Sequence, residues 1–177
     1  MVRDEIIDWV ERLHAAVEEV AAPVATANAA RLTCRAGCSD CCQDGLTVFA
    51  IEAAVLERHY PELLAEGTAH AEGGCAFLDD DGSCRVYAHR PYVCRTQGLP
   101  LRWLSEDEET GDIIEDRDIC PKNDDGPSLE TLDDDACWTL GPFEQRLADR
   151  QAEVDEGARV SLRGLFATER RRLPIVS

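Results

Sequence analysis

Cys34-Arg35-Ala36-Gly37-Cys38-Ser39-Asp40-Cys41-Cys42 is the stretch on which the reading of this chain turns. Four of the nine cysteines in 177 residues fall inside it. Thiols crowded at this spacing point to metal ligation, because cysteines that merely pack a core have no reason to cluster. In a helix, Cys34, Cys38 and Cys41 or Cys42 would share one face. Gly37 favours instead a loop that folds back and brings several sulfurs together.

The rest of the composition narrows the setting. A chain of this length suits one domain, residues 1–177, with its own core and no need of disulfides to hold it. The formal charge of −18 argues against sequence-independent binding to nucleic acid and to anionic membrane, both of which need basic surface. No stretch approaches the roughly 18 apolar residues of a membrane span, and the charged N-terminus carries no signal-like apolar run. A cytoplasmic, reducing location is expected, where an odd count of nine thiols serves as ligands and not as a disulfide framework.

Outward from the cysteine stretch, the pattern predicts an α+β fold. Its cysteine-rich metal-binding core, about 34–120, carries two short β-hairpins and is packed by helices over 4–30 and 142–172. Ile6, Val10, Leu13, Val17 and Val20 form the apolar stripe of the first helix, which Pro23 should end or kink. Leu46–Phe49 reads as a short strand, followed by a helix over 50–60 and a second that Pro61 opens and Gly67 ends. Phe143 to about Glu156 and Val160 to Leu173 read as helices, with Leu147 and Val154 facing inward.

The first hairpin is expected around Asp79-Asp80-Asp81-Gly82, with Leu78 opposite Ser83, Phe77 opposite Cys84 and Cys75 opposite Val86. Cys75 and Cys84 would then stand on adjacent strands. Pro91 suits the first position of a helix, which places Cys94 in its opening turn. There the helix dipole and Arg90 or Arg95 favour thiolate, and the guanidiniums would offset the negative charge of a bound thiolate site. His89, close in sequence to Cys84 and Cys94, is an alternative ligand. The second hairpin is predicted from Leu99–Leu104 and Ile113–Ile119, ahead of Cys120-Pro121. Fourteen acids between Ser105 and Asp135 read as solvated loop.

The blocks Cys-x3-Cys-x2-Cys-Cys, Cys75-x-Phe77-Leu78 with Gly82-x-Cys84-x-Val86-Tyr87, and Arg90-Pro91-x-x-Cys94-Arg95 together resemble the YkgJ-type cysteine-cluster family. That family is described as zinc- or iron-chelating, and a related cluster occurs in flagellin lysine methylases. The resemblance implies Cys34, Cys38, Cys41, Cys42, Cys75, Cys84 and Cys94 as candidate metal ligands, with Cys120 as a later member. Cys137 has no counterpart and reads as a packed thiol beside Trp138. Adjacent Cys41 and Cys42 are expected to point in different directions and so need not serve one metal atom. One [4Fe–4S] cluster with spare thiols, or two metal centres, both fit the count. Thiolates suit zinc and iron–sulfur clusters alike, and the wide Cys75–Cys84 spacing, unlike a zinc knuckle, tips the reading toward iron–sulfur.

The expected function is therefore a cytoplasmic metal-binding protein holding an iron–sulfur cluster or zinc, for electron transfer, metal handling or structural support. The alternative is an enzyme or enzyme subunit, methylase-like, that uses the cluster in catalysis. Cys34-x3-Cys38-x2-Cys41 matches the radical SAM spacing. However, Asp40 replaces the usual aromatic, a helix precedes the block where a strand is needed, and the chain is short for that barrel. No P-loop, dinucleotide glycine motif, HExxH or GxSxG is present. No feature identifies a protein partner.

Overall fold

A computed structural model of the chain describes residues 2–155 and 159–167. The fold is α+β, with five α-helices and two small sheets among the described residues. Its residues group into two compact units. Met1–Leu13, Arg35–Pro91 and Leu147–Ser177 make the first; His14–Cys34 and Tyr92–Arg146 make the second. Helices α1 (Asp4–Ala27) and α5 (Pro142–Ala152) contribute residues to both.

The stripe Ile6, Val10, Leu13, Val17 is buried, and Ala21 and Val24 continue it. Val20, expected in that stripe, is exposed, because the 3.6-residue period passes from Val17 to Ala21 and leaves Val20 to one side. Pro23 lies inside the helix, which continues to Ala27.

In the first unit, β1 (Thr47–Phe49) runs directly into α2 (Ala50–His59), and α3 (Pro61–Glu66) follows. The α2 N-terminus is buried, and its orphan amides find side-chain acceptors. The Phe49 N–H donates to Glu52 at 3.4 Å, and the Ile51 N–H to Gln151 Oε1 at 3.0 Å. Gly67 ends α3 by donating its N–H to Leu63 O. Strand β5 (Arg159–Ser161) pairs antiparallel with β1, Thr47 opposite Ser161. The sequence pattern predicts a helix over residues 160–173. Residues 159–161 are strand instead and 163–165 a 3-10 turn, while 168–173 lie outside the described residues. Val160 here answers to a strand partner that local periodicity does not reveal. Val154 is exposed because α5 ends at Ala152, before the inward position predicted for it.

The core of this unit gathers Val48, Leu56, Phe77, Val86, Leu165 and Phe166, with Cys75 inside it and Cys42 and Cys84 packed against it. The first predicted hairpin contains a single antiparallel bridge, and its register differs by one residue: Leu78 faces Cys84, not Ser83. Asp79 N donates to Ser83 O at 2.8 Å, so the turn spans Asp80-Asp81-Gly82. Gly82 at φ +81 supplies the left-handed position of a three-residue loop, which shifts every pair behind it by one.

In the second unit, β2 (Leu101–Glu106) and β3 (Ile113–Asp118) form the second hairpin as the pattern predicts, Leu101 opposite Asp118. Strand β4 (Trp138–Thr139) adds to β2 in parallel. Trp138 is buried, donates its indole N–H to the Tyr92 hydroxyl at 3.2 Å, and stacks on Phe143 with centroids 5.4 Å apart. No helix among the described residues is long and apolar enough to cross a membrane.

Candidate metal centre

The cysteine stretch is a loop, as Gly37 implies. Its φ of +80 and two successive turns, Cys38 N to Arg35 O at 2.9 Å and Cys42 N to Ser39 O at 2.8 Å, fold it back on itself. In the turn closed by Ser39 the sulfurs of Cys41 and Cys42 meet. This corrects the expectation that the two adjacent side chains point in different directions. The Cys42 thiol hydrogen-bonds that of Cys41 and is the main cause that lowers the Cys41 pKa to about 6, against an opposing effect of burial.

Backbone contacts then tie this loop to the second cysteine block. Cys75 donates its N–H to Cys42 O at 2.9 Å, and Gln43 and Gly74 form an antiparallel bridge beside it. A Cβ on Gly82 would lie 3.1 Å from Gly37 O, so the aspartate turn sits against the cysteine loop. Burial raises the thiols of Cys75 and Cys84, and the charge of Cys84 raises Cys75 further. Arg90 acts in the opposite sense on Cys84, while its guanidinium lies 4.1 Å over the Tyr87 ring. Each buried thiol loses its proton more readily beside a cation, which is the state metal ligation requires.

Two residues that sequence reasoning passed over hold these segments in register. Arg163 clamps Asp44, two residues past Cys42, through Nε to Oδ1 at 2.9 Å and Nη2 to Oδ2 at 2.7 Å. The same guanidinium donates to the carbonyls of His70 at 2.7 Å, Ala71 at 3.3 Å and Gly74 at 3.1 Å. Asp44 also accepts the N–H groups of Gly45 and Gly73. Its carboxyl is held below the usual carboxylate range, first by the Arg163 hydrogen bonds. A lone Asp and a lone Arg 119 positions apart carry no signal that would link them in sequence.

In the second unit, Asn123 plays the corresponding part. It is fully buried, and its Nδ2 donates to Cys34 Sγ at 3.3 Å and Gly98 O at 2.9 Å. Its Oδ1 accepts Thr33 N at 2.8 Å, and its own N–H donates to Cys120 O at 2.7 Å. Gly98, at φ +91, leaves the space Cys34 occupies; a Cβ there would stand 2.6 Å from the sulfur. Cys94 lies in the short helix α4 (Tyr92–Arg95), next to Arg95, whose guanidinium pairs with Glu18 at 2.5 Å. Cys137 is buried, 3.9 Å from the Arg117 guanidinium, and burial raises its thiol.

None of the nine cysteines is in a disulfide. Among the described residues within each unit, no three sulfurs lie within 4.8 Å of one another. Four sulfurs around zinc at about 2.3 Å stand roughly 4 Å apart, so closing a shell needs side-chain rotation on the tied backbone. The donor chemistry of the first unit fits zinc or iron: Cys38, Cys41, Cys42, Cys75 and Cys84 offer only soft sulfur. Residues 33–126 match a family model described as "putative zinc- or iron-chelating domain". No curated protein and no solved structure matches the chain.

Proposed function

Because this chain belongs to the CxxCxxCC family of zinc- or iron-chelating domains, we propose that Cys38, Cys41, Cys42, Cys75 and Cys84 bind its metal as thiolates. The observation that carries this reading is the Cys42 O to Cys75 N hydrogen bond at 2.9 Å, which makes backbone neighbours of two cysteine blocks separated in sequence. Cys34, Cys94 and Cys120 of the second unit are proposed as further metal-binding thiols, supported by the contacts of Asn123 with Cys34 and Cys120. Arg90, whose charge acts on Cys84, and Arg95, beside Cys94, are proposed to offset thiolate charge.

The bound group in this reading is an iron–sulfur cluster in preference to zinc, since Cys75 and Cys84 flank a one-bridge turn and not a zinc knuckle. It serves electron transfer, metal handling or support in the cytoplasm, where thiols without disulfides persist. Anaerobic purification followed by an absorption spectrum and metal and sulfide analysis tests this. Iron, sulfide and broad absorption near about 400 nm are expected. Colourless protein with zinc would remove the cluster, and protein without either metal would remove the whole proposal. Cys38→Ser lowers metal content, and Cys137→Ser leaves it unchanged; equal loss from both would overturn the ligand assignment.

A further inference from the structure

Outside the cysteine segments, a group of three side chains in the first unit has the composition of a different kind of cation site. We propose that Glu11, His59 and His89 bind a divalent first-row cation of the zinc class. Glu11 comes from α1, His59 is the last residue of α2, and His89 ends the 3-10 turn Tyr87–His89. One ligand atom from each lies within 4.8 Å of the others. Two imidazoles and a carboxylate are a donor set for zinc or ferrous iron, and three protein ligands leave a position for water.

The surrounding contacts occupy the atoms that ligation would leave over. His89 Nδ1 lies 2.9 Å from the Tyr60 hydroxyl, and donation of Nδ1–H to that oxygen fixes the tautomer that carries its lone pair on Nε2. Arg58 Nη2 donates to Glu11 Oε2 at 2.7 Å, leaving Oε1, which lies 2.5 Å from His59 Nε2. A cation taken up there replaces the proton that Oε1 and Nε2 share. Arg58 does not leave the site with excess positive charge, because its other arm pairs with Asp8 at 2.7 Å. The rings of His59 and His89 are stacked, centroids 3.7 Å apart and planes 12° from parallel, which sets their edges side by side. Ligation by both tilts one ring out of the stack. His59 is exposed, and the broad second torsion of histidine permits that rotation.

None of the three groups is a thiol, so its test is read apart from the cysteine-held metal. The full chain, purified with whatever its cysteines hold, is titrated with Zn²⁺ against a chromogenic chelator, and with Co²⁺ for its spectrum. Wild type should take up one added equivalent without sulfur-to-cobalt charge-transfer bands. Glu11→Gln, His59→Ala and His89→Ala should each weaken that uptake at least tenfold, with unchanged circular dichroism and unchanged cysteine-held metal. Glu11→Gln keeps the shape and a hydrogen-bonding oxygen, so its loss of affinity is a loss of ligand charge. Wild-type affinity in Glu11→Gln and His59→Ala, or added cobalt with thiolate bands, would overturn the proposal. A chain without cysteine-bound metal that still took up zinc through these three groups would support this site and remove the other.

Discussion

Replacing Arg163 with alanine should loosen the cysteine core without touching a cysteine. The guanidinium is 18% exposed and its Asp44 partner 25%, so the pair is only partly screened by water. It also caps three carbonyls of the 70–74 segment that leads into Cys75. Hydrogen bonds to charged groups contribute about 1.5–3 kcal/mol each but are not additive, and removing one partner of a partly buried pair leaves the other unpaired. We expect Arg163→Ala to cost about 2–4 kcal/mol, and Arg163→Lys about half of that, because an ammonium cannot fork across a carboxylate and carbonyls together. The assay is amide exchange at Cys75, whose N–H is bonded to Cys42 O. A loss of about 2 kcal/mol corresponds to roughly 30-fold faster exchange through local opening. The acid side gives a second readout. Arg163 depresses the folded-state pKa of Asp44, so the stabilisation is complete above about pH 4 and is lost as pH falls through the folded value. Arg163→Ala should flatten that acid slope. Exchange at Cys75 within threefold of wild type, together with an unchanged acid slope, would refute the clamp.

Gly98→Ala should lower the melting temperature more than Gly141→Ala. Both have positive φ, costing about 1–3 kcal/mol for a side chain, but only at Gly98 would the new Cβ meet Cys34 Sγ at 2.6 Å. Equal shifts would show that Cys34 yields freely. Asn123→Ala should destabilise by about 2–4 kcal/mol in urea unfolding, since it removes the hydrogen bonds of a buried amide with Thr33 N, Thr33 Oγ1, Cys34 Sγ and Gly98 O; a change below 0.5 kcal/mol, a rough bound for a surface site, would refute its role. With metal removed by a chelator, iodoacetamide should label Cys41 as pH rises through about 6, while burial holds Cys75 and Cys84 back to higher pH. Cys42→Ser should move the Cys41 profile, and peptide mapping that finds Cys75 labelled first would contradict the order.

Much of the fold was legible where the deciding signal is local. The stripe of α1, Pro61 at the start of α3 and the strand pair around the acidic turn each depend on neighbours within a few residues. Strand β5 was not legible, because residues 159–161 become strand only by pairing with β1, far away in the sequence. The register at Leu78 and Cys84 failed by one place because the turn residues fit both a two-residue and a three-residue loop, and only the backbone of Gly82 decides. The cysteines announced the candidate site by their spacing. Asp44, Gly98, Asn123 and Arg163 did not, since each acts through contacts distant in sequence that leave no periodic trace. Cys41 and Cys42 are expected to diverge as sequence neighbours, and the tight turn from Ser39 to Cys42 brings their thiols together.

The pairing of Asp44 with Arg163, and of β1 with β5, sets a limit on what can be cut from this protein. A fragment excised at residues 33–126 would retain eight cysteines yet leave Thr47–Phe49 an unpaired edge and the Asp44 carboxylate without its counter-ion. Such a fragment would carry its sulfurs without the tail segment that pairs β1 and neutralises Asp44.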